Sequence, residues 1–244
     1  MDIWGQIYVD QWRGDPHPHA FERDDGKRDI VPNAASYFVA PRGIADREAL
    51  AELTGRVLDL GCGPGSYTRY LEDRGCDVVA VDASPGAILV CRERGCRDAR
   101  VLEIDAVSSA LGVFDAVVCM GNTFGIGAGP ETLPRRLRLM SEVVTPNGTL
   151  VLSMIDPVAT DDPSHLAYHE RNRAAGRPPG LTRACLEYRN AVGQWWDLWM
   201  PTPQELATAA ATAGWAVVRS TAEGNSRLYE LRGELGQTRG AAIV

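Results

Sequence analysis

Between Gly55 and Met154 the chain alternates short apolar runs with amphipathic stretches, the pattern of strands separated by helices in a parallel sheet. Arg56 to Leu60 predicts the first strand of this series, Asp77 to Asp82 the second and Ala99 to Ile104 the third. Phe114 to Met120 is a continuous apolar run with one early acid, as expected of a central strand buried on both faces. Thr149 to Met154 predicts the fifth strand, after the turn residues Thr145-Pro146-Asn147-Gly148. Between them, helices are expected from Tyr67 to Arg74 and from Ser84-Pro85 to Arg94, each stopped by a glycine, and from Glu131 to Val144.

Beyond Met154 the pattern loosens. Asp156 to Gly180 is rich in Asp, Pro, His, Arg and Gly and reads as a functional loop or lid, with a short helix from Ser164 to Arg173. Leu181 to Asn190 and Gln194 to Met200 predict an antiparallel pair, Gln204 to Ala213 a helix, and Trp215 to Ser220 and Arg227 to Arg232 the last two strands. The N-terminal segment carries Trp4, Tyr8, Trp12, Phe21, Tyr37 and Phe38, too many aromatics for a free tail, and is expected to fold over the ligand cleft. The implied architecture is a single doubly wound α/β domain, residues 1–244, with a mostly parallel seven-stranded Rossmann-like sheet and an antiparallel last strand. Its expected parts are an N-terminal cap (1–54), a core (55–155), an insert with a β-hairpin (156–201), a closing helix and strands (202–232) and a frayed tail (233–244).

Composition narrows the function classes. A chain of 244 residues, 45% hydrophobic and 23% charged, can bury one full core. A net charge of −7 disfavours nucleic acid as partner, because that affinity rests on clustered Lys and Arg. No apolar run approaches the roughly 18 residues of a membrane span, and the start lacks a secretory pattern, so a cytoplasmic protein without membrane partners is expected. The six cysteines are scattered without a Cys-x-x-Cys pair, which predicts reduced thiols. His17 and His19 lack a second cluster to complete a ligand set, so no metal is expected.

The chemistry concentrates after the first core strand. That strand delivers Asp59 into Gly61-Cys62-Gly63-Pro64-Gly65, and the second strand ends in Asp82. Glycines let a ligand approach the backbone, and an acid at the carboxyl end of the next strand can accept hydrogen bonds from ribose hydroxyls. Ser66 follows Gly65, so the third glycine comes one residue too early for the dinucleotide fingerprint. Through Val57-Leu58-Asp59-Leu60-Gly61-Cys62-Gly63-Pro64-Gly65 and Val79-Ala80-Val81-Asp82, the sequence resembles the class I S-adenosylmethionine-dependent methyltransferases. The resemblance implies S-adenosyl-L-methionine as cofactor and S-adenosyl-L-homocysteine as product. By position it gives the methionine part to Asp59 and the loop glycines, with Cys62, and the ribose to Asp82. Ala83 falls against the adenine face, Asp105 and the backbone of Ala106 at its edge, and Cys119, Met120 and Gly121 on the methionine side, with Ser84 and Asn122 as further cofactor-binding candidates. Arg42, with Tyr37 near it, is a candidate partner for the cofactor carboxylate, or else a solvated surface arginine.

Acceptor-side candidates lie in the insert. His169 is the candidate base, with Glu170 to orient it and Tyr168 beside it; a solvated loop is the alternative for all three. Strand alternation puts Trp195, Asp197 and Trp199 on one face, as a substrate wall, a homodimer contact or a cover over the sheet, and Trp196, Leu198 and Met200 on the other, as core. The expectation is methyl transfer to a small-molecule N-, O- or C-nucleophile, as in natural-product biosynthesis. A cofactor-binding enzyme with cyclase-like chemistry and a nucleotide-binding regulatory or dehydrogenase-like protein remain the alternatives.

Overall fold

The computed structural model describes residues 1–233. Asp2 caps helix α1 (Ile3–Trp12), its Oδ1 accepting from the Gly5 N–H at 2.8 Å. A hairpin follows, β1 (His19–Arg23) and β2 (Arg28–Val31), and α2 (Ile44–Ala51) leads into the core. There β3 (Arg56–Leu60), α3 (Ser66–Asp73), β4 (Asp77–Asp82), α4 (Pro85–Glu93), β5 (Ala99–Val101), β6 (Phe114–Cys119), α5 (Thr132–Val143) and β7 (Val144–Ile155) alternate as the sequence pattern predicts. The insert holds α6 (Pro163–Ala174), β8 (Leu181–Tyr188), β9 (Ala191–Val192) and β10 (Trp196–Trp199). The chain closes with α7 (Pro203–Thr212), β11 (Trp215–Glu223) and β12 (Ser226–Gly233). Of the tail expected to fray from Gly233, Gly233 itself ends β12, paired with Trp215, and residues 234–244 lie outside the described residues.

Seven strands form the main sheet in the order β11-β12-β7-β6-β3-β4-β5, with β12 antiparallel to both its neighbours and the other core pairings parallel. Alternate strand residues serve opposite faces. Leu58, Val81, Val117 and Leu152 pack under α5 and α7, with Leu133, Leu137 and Leu206. Val57, Val78, Val118 and Val151 pack under α2 and α3, with Leu50 and Leu71, and Ala80 under α4 with Ile88 and Cys91. This is the doubly wound fold, and its ligand edge is the carboxyl end of β3, β4 and β6.

Two expected boundaries move for local reasons. The third core strand stops at Val101, because Ile104–Ala106 closes a 3-10 turn in which the Ala106 N–H donates to the Glu103 carbonyl at 2.9 Å. The fifth begins at Val144: Phe114 pairs with Val144 and Ala116 with Thr149, so the four turn residues bulge from a strand that is already formed.

The N-terminal hairpin and the insert, far apart in sequence, build one antiparallel sheet in the order β10-β8-β1-β2, with β9 on β8. Phe21 lies opposite Leu186 on one side and Asp29 on the other, and Ala184 lies between Arg23 and Trp196. Helix α1 locks this cap onto α4. A Cβ on Gly86 would stand 2.5 Å from the Gly5 Cα, so only glycine at both positions permits so close a crossing. Asp2 joins the two helices there, its Oδ2 accepting from the Gly86 N–H at 2.8 Å and the Ser84 hydroxyl at 3.0 Å. Among the described residues no helix is long and apolar enough to cross a membrane.

Candidate active site

The loop between β3 and α3 is pinned from below. The N–H groups of Gly61 and Cys62 both donate to the Val81 carbonyl, at 2.8 and 3.0 Å. Its three glycines answer to different neighbours. A Cβ on Gly61 would lie 2.1 Å from the Thr123 side chain, and one on Gly65 would lie 2.6 Å from the sulfurs of Cys91 and Cys96. Gly63 (φ +53°) meets nothing nearer than the Tyr8 hydroxyl at 3.7 Å and faces open space. That space is a cavity of about 1200 Å³ between the edge of the main sheet and the cap sheet. Its wall includes Gly61 to Pro64, Asp82 to Pro85, Glu103 to Asp105 and Met120 to Thr123 on the core side.

Asp82, at the end of β4, is fixed by the loop it faces: Gly63 N–H donates to Oδ2 at 2.9 Å and Ser84 N–H to Oδ1 at 2.8 Å. Each oxygen keeps a further lone pair for a ligand. Burial is the main cause that pushes this carboxyl up from its ordinary range. Arg42 reaches the same cavity with its guanidinium over the rings of Tyr37 (5.1 Å) and Tyr67 (5.9 Å). Among the described residues no carboxylate lies within ion-pair distance of it, while Tyr67 donates its hydroxyl to Asp46. A Cβ on Gly121 would have the Arg42 Nη1 as its nearest neighbour, at 3.6 Å, so the cation and an open backbone face each other across the end of β6. An unpaired guanidinium, a fixed acid and two open glycines suit a ligand with one carboxylate and one diol.

The opposite wall comes from the cap. Helix α6 presents His165, Tyr168 and His169 to the cavity. His165 is tied at both ring nitrogens, Nε2 to the Lys27 ammonium at 2.7 Å and Nδ1 to the Thr160 hydroxyl at 3.2 Å. His169, buried and one turn on, makes no protein hydrogen bond among the described residues. Burial, and then the nearby Arg173, hold its pKa below the ordinary 6.5, which leaves the imidazole neutral at pH 7 and able to accept a proton. The same cavity is lined by Trp4, Tyr8, Phe21 and Tyr37, with Trp4 stacked on Tyr8 at 5.6 Å and edge-on to Tyr37 at 5.5 Å.

Known proteins agree with this layout. Residues 57–148 match the family model described as a methyltransferase domain. Residues 57–148 thus carry a methyltransferase domain, of the kind that takes S-adenosyl-L-methionine as methyl donor and leaves S-adenosyl-L-homocysteine. Among curated proteins, the cypemycin N-terminal methyltransferase of Streptomyces is 37% identical over 108 residues, 43% of this chain and 44% of that one. The ubiquinone biosynthesis O-methyltransferase of Azorhizobium caulinodans is 32% identical over 117 residues, 46% and 45% of the two chains. The chain thus spans less than half the length of the curated relatives it matches. In fold it is similar to a SAM-dependent methyltransferase from Bacteroides fragilis, solved in complex with S-adenosyl-L-homocysteine, with a TM-score of 0.80 at 24% identity over 96% of this chain and 95% of that one.

The structure brings Tyr37, Arg42, Gly61, Cys62, Gly63, Asp82, Ala83, Ser84, Asp105, Met120, Gly121 and Asn122 to one cavity. Several of them serve the fold as well. Ser84 caps α4, its hydroxyl accepting from the Ala87 N–H at 3.0 Å, and Asn122 ties the turn after β6 to β7 by accepting from the Ile155 N–H at 2.6 Å. Asp105 reaches the cavity already bound to Arg136 (3.0 and 3.1 Å) and Arg135 (2.8 Å).

Other candidates move. Asp59 lies beneath the loop rather than on the cavity, where the Thr68 hydroxyl donates to it at 2.6 Å. Gly65 is required by the cysteines behind it, and the Ala106 N–H is spent on Glu103. Glu170 pairs with Arg173 instead of orienting His169. Tyr168 lines the cavity, but its hydroxyl donates to Asp24 at 2.7 Å and accepts from the Arg183 N–H at 3.2 Å.

The largest correction concerns β10. Strand alternation holds, but the cavity face is the one expected to be core: Trp196, Leu198 and Met200 line the cavity. Trp199 is buried in the core against the main sheet, Trp195 is exposed, and Asp197 is exposed with Arg183 at 3.7 Å. Period-two alternation separates two faces without saying which is inside, and pairing with β8 decides that. Sequence reasoning also passed over Asp2, Arg23 and Ala184, which meet partners more than 80 residues away.

Proposed function

We propose that this protein transfers the methyl group of S-adenosyl-L-methionine to a small-molecule acceptor held under the cap, with His169 as the base. The single observation that carries this reading is the shared cavity: the Gly63 and Asp82 edge and the His169 imidazole, unpartnered among the described residues, line the same space. In this reading Arg42 binds the donor's carboxylate, the Asp82 carboxylate its ribose diol, and Met120 and Gly121 line its methionine side. The donor supplies a sulfonium methyl that is already electrophilic. The protein's part is then alignment of the nucleophile, worth about 7–11 kcal/mol when the geometry is right, and removal of a proton.

A small acceptor in natural-product biosynthesis is supported by the cypemycin relative's name and by fold similarity to the sugar N-methyltransferase KedS8 from Streptoalloteichus, at 18% identity. A cytoplasmic location is supported by six cysteines that are all free and buried. The test is calorimetry with S-adenosyl-L-homocysteine, followed by its release during turnover with donor and acceptor. Saturable binding that Asp82→Ala weakens is expected. Tight NAD binding without response to S-adenosyl-L-homocysteine would overturn the reading, as would turnover that releases none.

A further inference from the structure

Helix α1 sends one hydroxyl group down onto the glycine loop. Tyr8 is buried, and its ring turns the hydroxyl end to Gly63: a Cβ there would lie 3.7 Å from the Tyr8 oxygen, 3.8 Å from Cζ and 3.9 Å from Cε2. The ring is held in that position by its neighbours, with Trp4 stacked on it at 5.6 Å and Tyr37 edge-to-face at 5.5 Å. The hydroxyls of Tyr67, Tyr168 and Tyr188 donate to Asp46, Asp24 and Asp10. That of Tyr8, although it lines the cavity, has no hydrogen-bond partner among the described residues.

Its place lies between the two charges of the donor half. On one side Gly63 binds Asp82 through its N–H at 2.9 Å, and on the other Tyr37 carries the Arg42 guanidinium over its ring at 5.1 Å. Both charges act on the hydroxyl: burial first, and then Tyr37 and Asp82, push its pKa well above the ordinary 10, while Arg42 opposes them. The phenol is therefore neutral at pH 7 and keeps lone pairs to offer. In S-adenosyl-L-methionine the sulfonium lies between the ribose and the carboxylate. With the diol on Asp82 and the carboxylate on Arg42, the group left between them, opposite Tyr8, is the sulfonium.

We infer, on the basis of the function proposed above, that Tyr8 is a donor-binding residue whose hydroxyl oxygen turns a lone pair to the positive sulfonium end of S-adenosyl-L-methionine and so separates donor from product. Once the methyl group has left, the sulfur is neutral and the oxygen has no charge to face. The N-terminal helix thereby grips the charged donor more tightly than S-adenosyl-L-homocysteine, through an atom that belongs to neither the glycine loop nor the sheet edge.

The experiment is calorimetry with sinefungin and with S-adenosyl-L-homocysteine, in wild type and in Tyr8→Phe. Sinefungin carries an ammonium where the donor has its sulfonium methyl, whereas S-adenosyl-L-homocysteine is neutral there. Wild type should bind sinefungin about tenfold more tightly or better. Tyr8→Phe removes one oxygen and keeps the ring, so it should weaken sinefungin about tenfold or more, as expected for a lost hydrogen bond to a charged group. Affinity for S-adenosyl-L-homocysteine should stay within about twofold, which also certifies the fold. A variant that changes both affinities by the same factor, or neither, would overturn the inference and leave the proposed function standing. So would equal affinity of wild type for the two ligands, an outcome that needs no variant to fold. Failure of wild type to bind S-adenosyl-L-homocysteine would sink the underlying reading, and this inference with it.

Discussion

Asp59 offers a quantitative test of how the ligand loop is built. Its side chain is 2% exposed, beneath the loop, with the Thr68 hydroxyl as hydrogen-bond donor. Burial outweighs that hydrogen bond, and with a smaller push from the Asp82 carboxylate it raises the pKa from 3.8 to about 7. The native state therefore holds a proton that the unfolded chain releases above pH 3.8. Native binding of the extra proton favours folding, so this contribution is complete below pH 3.8 and is lost as pH rises through about 7. Between pH 5.5 and 8.5 the unfolded group stays ionised while the native one loses its proton, and at 1.36 kcal/mol per pH unit below 7 the loss is about 2 kcal/mol. Asp59→Asn keeps an oxygen for Thr68 and cannot titrate. Denaturant unfolding of both proteins at the two pH values should show wild type losing about 2 kcal/mol more than the variant. In thermal scans that difference is about 4–8 °C for a chain of this size. Parallel pH profiles would refute the argument and show that Asp59 is ionised throughout.

Four further outcomes follow. Asp82→Ala removes a charged acceptor worth about 1.5–3 kcal/mol, so S-adenosyl-L-homocysteine should bind roughly 10- to 100-fold more weakly by calorimetry, and an unchanged affinity would displace the ribose from this acid. Activity should rise with pH along an acid limb whose midpoint lies below 6.5, because burial lowers the pKa of His169 and the base must be neutral; His169→Asn should lose that limb, and a variant that retained it would exclude His169. Gly86→Ala drives a Cβ to within 2.5 Å of the α1 backbone, an overpacking of about 1–3 kcal/mol that should lower the melting temperature and expose Trp4 to quenchers, whereas wild-type fluorescence would show the crossing to be adjustable. Tyr168→Phe breaks the bond to Asp24, costing about 1 kcal/mol in unfolding experiments while leaving S-adenosyl-L-homocysteine affinity intact.

The core was legible because each of its elements is specified locally. Buried parallel strands must be apolar along their length, and their helices must stop where Gly75 and Gly95 permit, so a window of a dozen residues suffices for each. The donor half of the site inherits that clarity, since Asp82 and Gly63 belong to the ends of such strands and the turn between. The acceptor half depends on pairing. Trp196 faces the cavity because β10 binds β8 in one register, and β8 is held in place by β1, more than 150 residues earlier. No periodicity within Gln194 to Met200 contains that information. His169 was found by its residue type, but the reason it differs from His165, namely that Lys27 and Thr160 occupy only the latter, exists only in three dimensions.

This difference bears on how the two halves act together. Asp2 binds the start of α4 through Gly86 and Ser84, and Ser84 in turn fixes Asp82 through its N–H. The first turn of the cap is thus two hydrogen bonds away from the acid proposed to bind the donor's ribose, while the same helix α1 carries Trp4 and Tyr8 to the wall of the same cavity. Any ligand that draws Asp82 and the Ser84 backbone into a tighter geometry also favours the docked position of α1. By reciprocity, docking of the cap improves the donor site. Donor and acceptor affinities should therefore be positively coupled through Asp2, and Asp2→Ala should reduce the coupling between them even though neither ligand needs to touch it.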